Sequence, residues 1–413
     1  MTNSFPKQEG QSLSYWLQGV RNNPLLDHRT TDELPEEADV VIIGSGATGA
    51  ITALELLSSS NPPKSVVMLE ARELSSGATG RNAGHCKPNQ LDVVIDEEVA
   101  TKTANIFERY RAAGGNVDHV EHITDRTEAI KRSRINHAVS VFSWDAASLY
   151  PWKLVAHIIT TCLSKGLNLQ TWTPVNSVRL SGVSGKWVVA TERGSIATPA
   201  VVHATNAYAS ALLPEFKNAI KPTPHMCNKV IPPRSWSGTK ALENSYGVLC
   251  PGGTFYSINP RANSDGIILF GGSNPGQHAL LKYLEKHPDE RTNDGLTNFE
   301  PVTKAVDDFI QNEFSDWGSA SAPGEGCDYA WSGIIGKSAD GVPYVGPIPG
   351  KPGQWICAGH DGHGMVRIFT TAPGLVKLIQ GGTWADTGLP ECFELTPERL
   401  ERLSKLDFNA PIA

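Results

Sequence analysis

The stretch "DVVIIGSGATGAITALELLSSS", beginning at Asp39, constrains this chain more than any other. An apolar run ends in glycines, and Ile51, Leu54 and Leu57 then recur at helical spacing, which predicts a strand, a tight turn and a helix. "NPPK" stops the helix, and "SVVMLEA" supplies a second apolar run of the kind that a parallel sheet buries on both faces. Gly44, Gly46 and Gly49 form GxGxxG across the turn. Gly44 permits the bend, Gly46 lets a pyrophosphate approach the backbone, and Gly49 lets helix and strand pack closely. The start of the helix offers unpaired N–H groups and the positive end of a dipole to phosphates. Glu70, at the end of the second strand, is placed to accept hydrogen bonds from an adenosine ribose, and its charge opposes a 2′-phosphate. GxGxxG alone also occurs in Gly-rich turns of unrelated α/β domains. Here strand, glycines, helix, strand and acid agree in order, and the reading is a dinucleotide site.

A chain of 413 residues has room for two domains or one large interwoven α/β unit. The net charge of -7 and the scattered Lys and Arg argue against nucleic acid as a partner. Seven widely spaced cysteines with no CxxC pair suggest a reduced compartment and no metal site. The first 34 residues lack a secretory pattern, no window approaches a membrane span, and the final "PIA" is not the Ser-Lys-Leu address, so the expected location is cytoplasmic.

Further along, Pro151 opens a helix that Gly166 ends, and extended segments follow through "ATPAVVHATNAYAS". From about 216 to 324, Pro-rich loops and alternating strands such as "GGTFYSINP" and "DGIILFGG" read as antiparallel sheet with a capping helix. The expected fold class is α/β: a Rossmann-like dinucleotide-binding domain interwoven with a second, α+β domain built on an antiparallel sheet.

Four places resemble the D-amino-acid oxidase-like FAD-dependent oxidoreductases, nearest to glycine and sarcosine oxidases and γ-glutamylputrescine oxidase. They are "DVVIIGSGATGA…VVMLEA", the loop "SSGATGRNAGH", the pair "TPVNSV" and "ATPAVVHATNAYAS", and "WSGIIGKSADGVPYVG…ICAGHDGHGM". The resemblance covers about 37 to 382 and makes the dinucleotide FAD. It implies an FAD-binding domain from 37–90, 150–215 and 325–390, and a substrate domain from 91–149 and 216–324. An arm at 1–36 and a tail at 391–413 complete the chain.

By the same resemblance, the cofactor-binding residues are Gly44, Gly46, Ala47, Thr48, Gly49, Glu70, Ala71 and Arg72 at the fingerprint. Ser76, Thr79, Gly80, Arg81, Asn82, Ala83, Gly84 and His85 follow in the loop, then Val175, whose backbone meets the adenine, and Thr205, Asn206 and Ala207. Gly333, Gly359, His360, Asp361, Gly362, His363, Gly364 and Met365 wrap the pyrimidine edge. Chemistry fits these places. Arg81 supplies donors for a phosphate or carboxylate, and oriented N–H groups near Gly362 would stabilise the anionic reduced flavin. Arg81 could instead serve a loop ion pair.

Catalytic candidates are His85, His363 and Tyr256, although a His in a Gly-rich turn is often a structural hydrogen-bonding residue. Tyr256, Arg234 and Trp331 are the substrate candidates, each open to the alternative of ordinary packing. Sarcosine oxidases attach flavin through a cysteine, which makes Cys86 and Cys327 covalent candidates; a small apolar filler is the alternative for both. Those oxidases also place a lysine in the strand resembling "GIILFGG", where Ile268 and Leu269 stand here, so the resemblance does not carry fast oxygen reactivity. The implied activity is oxidation of an amine or amino-acid C–N bond by hydride transfer to flavin N5, followed by imine hydrolysis. Oxygen or another acceptor would reoxidise the flavin. A biosynthetic oxidase of an N-heterocyclic or peptide-derived amine and a non-catalytic flavin-binding protein are the alternatives. Oligomeric state is left open.

Overall fold

A computed structural model describes residues 5–86, 90–318 and 322–406, with the side chains of His85, Cys86 and Ser404 outside that description. Two sheets organise it. The first has six strands in the order Tyr344–Pro347, Gln354–Ala358, Ala200–His203, Val40–Ile43, Val66–Leu69, Leu167–Gln170. All neighbours are parallel except the pair of Tyr344–Pro347 with Gln354–Ala358. Val40–Ile43 and Val66–Leu69 are buried along their whole length, which explains their unbroken apolar sequence.

Side chains alternate across this sheet. Val40 and Ile42 pack with Ala50, Ile51, Val155, Ile159 and Leu375 from the helices Ala47–Ser58, Pro151–Ser164 and Gly364–Ile379. Val41 and Ile43 face Val175, Trp187, Val189 and Ile196 of a three-stranded antiparallel sheet, Val175–Leu180, Trp187–Thr191 and Gly194–Thr198. Chain order reverses on either side of Val40–Ile43, so Gly44 sits at the switch point where open α/β sheets form their ligand crevice.

The second sheet has eight strands, in the order Gly326–Ser338, Ile220–Ile231, Ile268–Gly271, Phe255–Pro260, Ser245–Leu249, Gln90–Val94, Ser140–Trp144, Val120–Ile123. Its pairs are antiparallel apart from Ser245–Leu249 with Gln90–Val94. Val306, Phe309 and Ile310 of the helix Glu300–Glu313 pack against Tyr256 and Phe270 on its outer face. Gly326–Ser338 lies in this sheet, although its position in 325–390 had grouped it with the nucleotide segments. It runs against the entire length of Ile220–Ile231, whose Pro222 and Pro224 lie beyond the part paired to Ile268–Gly271 and so forfeit no ladder bond on that side.

The first and last described segments are docked on the body. Ser14 caps the short helix Tyr15–Gln18, and Trp16 is fully buried in the main core. At the other end Arg399, on the helix Pro397–Ser404, grips Asp340 through Nε and Nη2 at 3.0 and 3.1 Å. No helix among the described residues is long and apolar enough to cross a membrane.

Candidate active site

A cavity of about 540 Å³ runs from the switch point of the six-stranded sheet to the face of the eight-stranded one. That volume is ordinary for a cofactor or substrate site. At its nucleotide end, Gly44 has φ +109°, and a Cβ there would strike the carbonyl oxygen of Ala204. A Cβ on Gly49 would strike the carbonyl oxygen of Gly44, so strand end and helix touch backbone to backbone. The first turn of the helix Ala47–Ser58 faces the cavity through Ala47 and Thr48, with N–H groups that have no partner inside the helix. Thr79 Oγ1 takes one of them, from Ala47, at 3.0 Å. Glu70 is held at both oxygens: Oε2 accepts from Ser45 N at 2.9 Å and Ser45 Oγ at 2.7 Å, and Oε1 from Arg72 N at 3.1 Å.

The loop from Ser75 to Gly84 is pinned from within and from outside. Asn82 Nδ2 donates to the carbonyls of Ala78 and Thr79, its Oδ1 accepts from Gly84 N at 2.7 Å, and its own carbonyl accepts from Trp16 Nε1. Arg81 is almost wholly buried, and its Nε and Nη1 bond to protein. Nε donates to Ser76 O at 2.7 Å, Nη1 donates to Ser332 O at 2.9 Å and Ser12 Oγ at 3.1 Å, and Nε stands 3.3 Å from Asp294 Oδ2. Arg72 Nη1 reaches the same Asp294 oxygen at 2.8 Å. Arg81 lines the cavity and at the same time forms the ion-pair alternative, a buried Arg72–Asp294–Arg81 cluster whose Asp294 arrives from a distant loop that the local sequence does not reveal.

Of the other expected cofactor residues, Gly46, Ala71, Ala83, Val175, Thr205, Asn206, Ala207, Gly333, His360, Asp361, Gly362, His363, Gly364 and Met365 line the cavity. Asn206 does so from φ +44°, with Oδ1 accepting from Gly359 N at 3.0 Å and His360 N at 3.3 Å. Gly49, Ser76, Gly80, Gly84 and Gly359 stand behind the wall. A Cβ on Gly80 would meet Ser75 O, one on Gly84 the ring of Trp16, and one on Gly359 the ring of Tyr344. The backbone of His85 pairs with Ser148, while its side chain and that of Cys86 lie outside the described residues. His363 sits exposed at the rim, its Nδ1 2.9 Å from the carbonyl of Asp361.

The three substrate candidates do not reach the cavity. Tyr256 points through the opposite face of its strand, where it stacks on Phe309 and its hydroxyl donates to Ala305 O at 3.1 Å. Trp331 is fully buried and donates from Nε1 to Arg81 O at 2.8 Å. Arg234 is on the exposed turn Arg234–Trp236, beside a shallow surface depression. Cys327 is likewise away from the cavity, its thiol 3.0 Å from Asp307 Oδ1 and its pKa pushed up by burial. Ile268 and Leu269 are buried in the core, and Lys337, paired with Asp361 Oδ1 at 3.3 Å, is the lysine that the described cavity wall contains.

What the sequence reading missed is the wall supplied by the large sheet: His225, Cys227, Tyr246, Phe255, Ser257 and Gly271. The signal was strand parity. Residues 225 and 227, and 255 and 257, each share one face of a strand, and Tyr256 faces the other way. Phe5, Pro6 and Gln8 of the arm also border the cavity.

Two imidazoles in the wall are held neutral. Burial pushes His360 down to about 4, with a smaller push from Arg367; burial does the same to His225, with Lys337 adding to it. His360 Nε2 is 3.4 Å from Thr48 Oγ1, and its Nδ1 is buried without a protein partner, as is Thr205 Oγ1.

Comparison with known proteins places this site in a context. The family model described as "DAO: FAD dependent oxidoreductase" matches residues 39–94 and 91–379. A "Probable oxidoreductase OrdL" of Rhizobium meliloti (strain 1021) is 23% identical over 391 residues, spanning 80% of each chain. Among solved structures, glycine oxidase from Geobacillus kaustophilus aligns at TM-score 0.64 and 20% identity over 88% of this chain and 99% of that one. L-Amino acid deaminase from Proteus myxofaciens, in complex with anthranilate, aligns at TM-score 0.68 and 17% identity over 93% and 97%. The residues present fit FAD: open N–H groups at a helix start, an oriented carboxylate at Glu70, and buried polar atoms at Thr205 and His360 that no protein group satisfies. This chain belongs to the DAO family of FAD-dependent oxidoreductases, and FAD is its cofactor.

Proposed function

We propose that the protein oxidises a C–N bond of a small amine or amino acid, and that the resulting imine is hydrolysed to a carbonyl compound and the freed amine or ammonia. The carrying observation is the cavity itself, which continues without a break from the nucleotide crevice to a wall of neutral side chains on the eight-stranded sheet. The family description supports FAD-linked oxidation, and fold neighbours named as glycine oxidase and L-amino acid deaminase support the amine class. FAD, when bound, supplies the hydride acceptor.

The protein's own residues bind, orient and exclude water. The helix start at Ala47 and Thr48 would receive the pyrophosphate, Glu70 would accept from the ribose hydroxyls, and the backbone at Val175 would border the adenine. The turn from Gly362 to Met365 and the start of the helix Gly364–Ile379 line the cavity, and their N–H groups would hold the flavin's pyrimidine edge. On the substrate side, neutral His225, Ser257 and the aromatic ring of Phe255 make an environment that disfavours an ammonium ion, so the amine binds unprotonated and the chemistry needs no strong base.

The test is spectroscopic. Purified protein should be yellow, lose its flavin on acid precipitation, and bleach anaerobically with one member of an amine and amino-acid panel. Aerobic peroxide release then separates oxygen from other acceptors. Colourless protein that takes up no FAD, or flavoprotein that no amine bleaches, overturns this function.

A further inference from the structure

On the cavity wall formed by the large sheet, three neighbouring strands create a slot. Gly271 forms its floor, and Ser257 is its direct cross-strand partner on one side. On the other side lies Ile220–Ile231, carrying His225 and Cys227. A Cβ placed on Gly271 would meet Cys227 Sγ at 3.5 Å, Ala83 Cβ at 3.6 Å and His225 Nε2 at 3.9 Å. The missing side chain therefore leaves a gap one carbon deep between an imidazole, a hydroxyl and the end of the cofactor loop.

The imidazole of His225 makes no hydrogen bond to any described residue, and neither does the hydroxyl of Ser257. Both line the cavity, so their hydrogen-bonding capacity is open to a ligand atom. Lys337, whose charge acts on His225, is paired with Asp361.

We propose that His225 and Ser257 grip the nitrogen of the substrate amine over Gly271, and that this slot sets which amines the enzyme accepts. The inference rests on the amine-oxidation reading above. A neutral imidazole offers one acceptor and one donor, and a hydroxyl can do either. Together they accept an N–H from a free amine and fix the orientation of its lone pair without supplying a counter-charge for an ammonium. Glycine at 271 leaves room for the substituent carried by that nitrogen or its neighbouring carbon.

The experiment is anaerobic titration of the holoenzyme with the amine that bleaches the wild type, on His225→Phe, His225→Gln, Ser257→Ala and Gly271→Ala. FAD affinity is measured alongside by fluorescence quenching. Losing one hydrogen bond to the amine should raise the substrate Kd by about tenfold in His225→Phe and Ser257→Ala. His225→Gln should recover part of the loss. Gly271→Ala, whose new methyl meets its neighbours at ordinary contact distances and so spares the fold, should weaken bulky amines more than methylamine-sized ones. FAD affinity should stay near the wild-type value throughout. Substrate Kd within about twofold of wild type in all four variants overturns the proposal, and so does FAD affinity falling in step with it, which would assign the residues to the cofactor. A wild type that no amine bleaches removes the amine reading itself, and is told apart because it requires no variant.

Discussion

The two walls of the cavity are built on opposite principles. The nucleotide wall is made of backbone: Gly44 and Gly49 in contact, a helix start, and polar side chains such as Glu70 and Asn82 that are already clamped by neighbouring N–H and carbonyl groups. The large-sheet wall is made of side chains, among them His225, Ser257 and Gly271, that leave hydrogen-bonding capacity and space unused. A preorganised, crowded wall suits a ligand that stays, and an open one suits a ligand that turns over.

The difference can be attacked at several points. The largest effect is expected for Gly49→Val, which drives a branched side chain into Gly44 O. Overpacking costs on the order of 1–3 kcal/mol or more, and the purified protein should contain no flavin by visible absorbance. Should that variant retain full flavin, the backbone description of the nucleotide wall fails. Asp294→Ala comes next, since it strands Arg72 and Arg81 as uncompensated buried charges. Breaking such a cluster costs about 3–5 kcal/mol, visible as a large drop in Tm that blurs the contrast by loosening both walls at once.

Acid should also act on both walls. His225, His360 and the core residue His203 are each pushed from 6.5 to about 4 by burial. The unfolded chain binds these protons more readily, so the stability held above about pH 6.5 is lost progressively as pH falls toward 4. Each group accounts for up to roughly 3 kcal/mol of that loss. Melting curves across this range test it, and His203→Asn, whose side chain faces Gln354 rather than the cavity, should flatten the slope without touching activity. The smallest effect sharpens the parity of the sheet wall. Tyr256→Phe should cost about 1 kcal/mol through the lost bond to Ala305 and leave amine-dependent bleaching unchanged.

That last contrast marks where the sequence stops being readable. The nucleotide wall was legible because its requirements are local: a fully buried parallel strand must be apolar throughout, and a turn at φ +109° selects glycine. On the sheet wall the right strand, "GGTFYSINP", was recognised, but a one-residue parity error chose Tyr256 over Phe255 and Ser257. Parity depends on which face the helix Glu300–Glu313 covers, and that is tertiary information. The ion-pair partner of Arg81 was hidden for a related cause. Asp294 lies more than two hundred positions away, and nothing near "TGRNAG" announces it.

The arm gives the molecule a particular order of assembly. Ser12 bonds to Asp294 across 282 positions and to Ser332 across 320, and Ser14 and Trp16 brace the loop at Gly80 and Asn82. During synthesis this segment therefore has nothing to dock on until its partners some three hundred positions later have emerged, and the cofactor loop stays unbraced for that interval. Contacts this distant in sequence close late and slowly. A nascent chain would thus complete its FAD site in one of its last folding events, which makes cofactor supply at that moment a determinant of how much active protein accumulates.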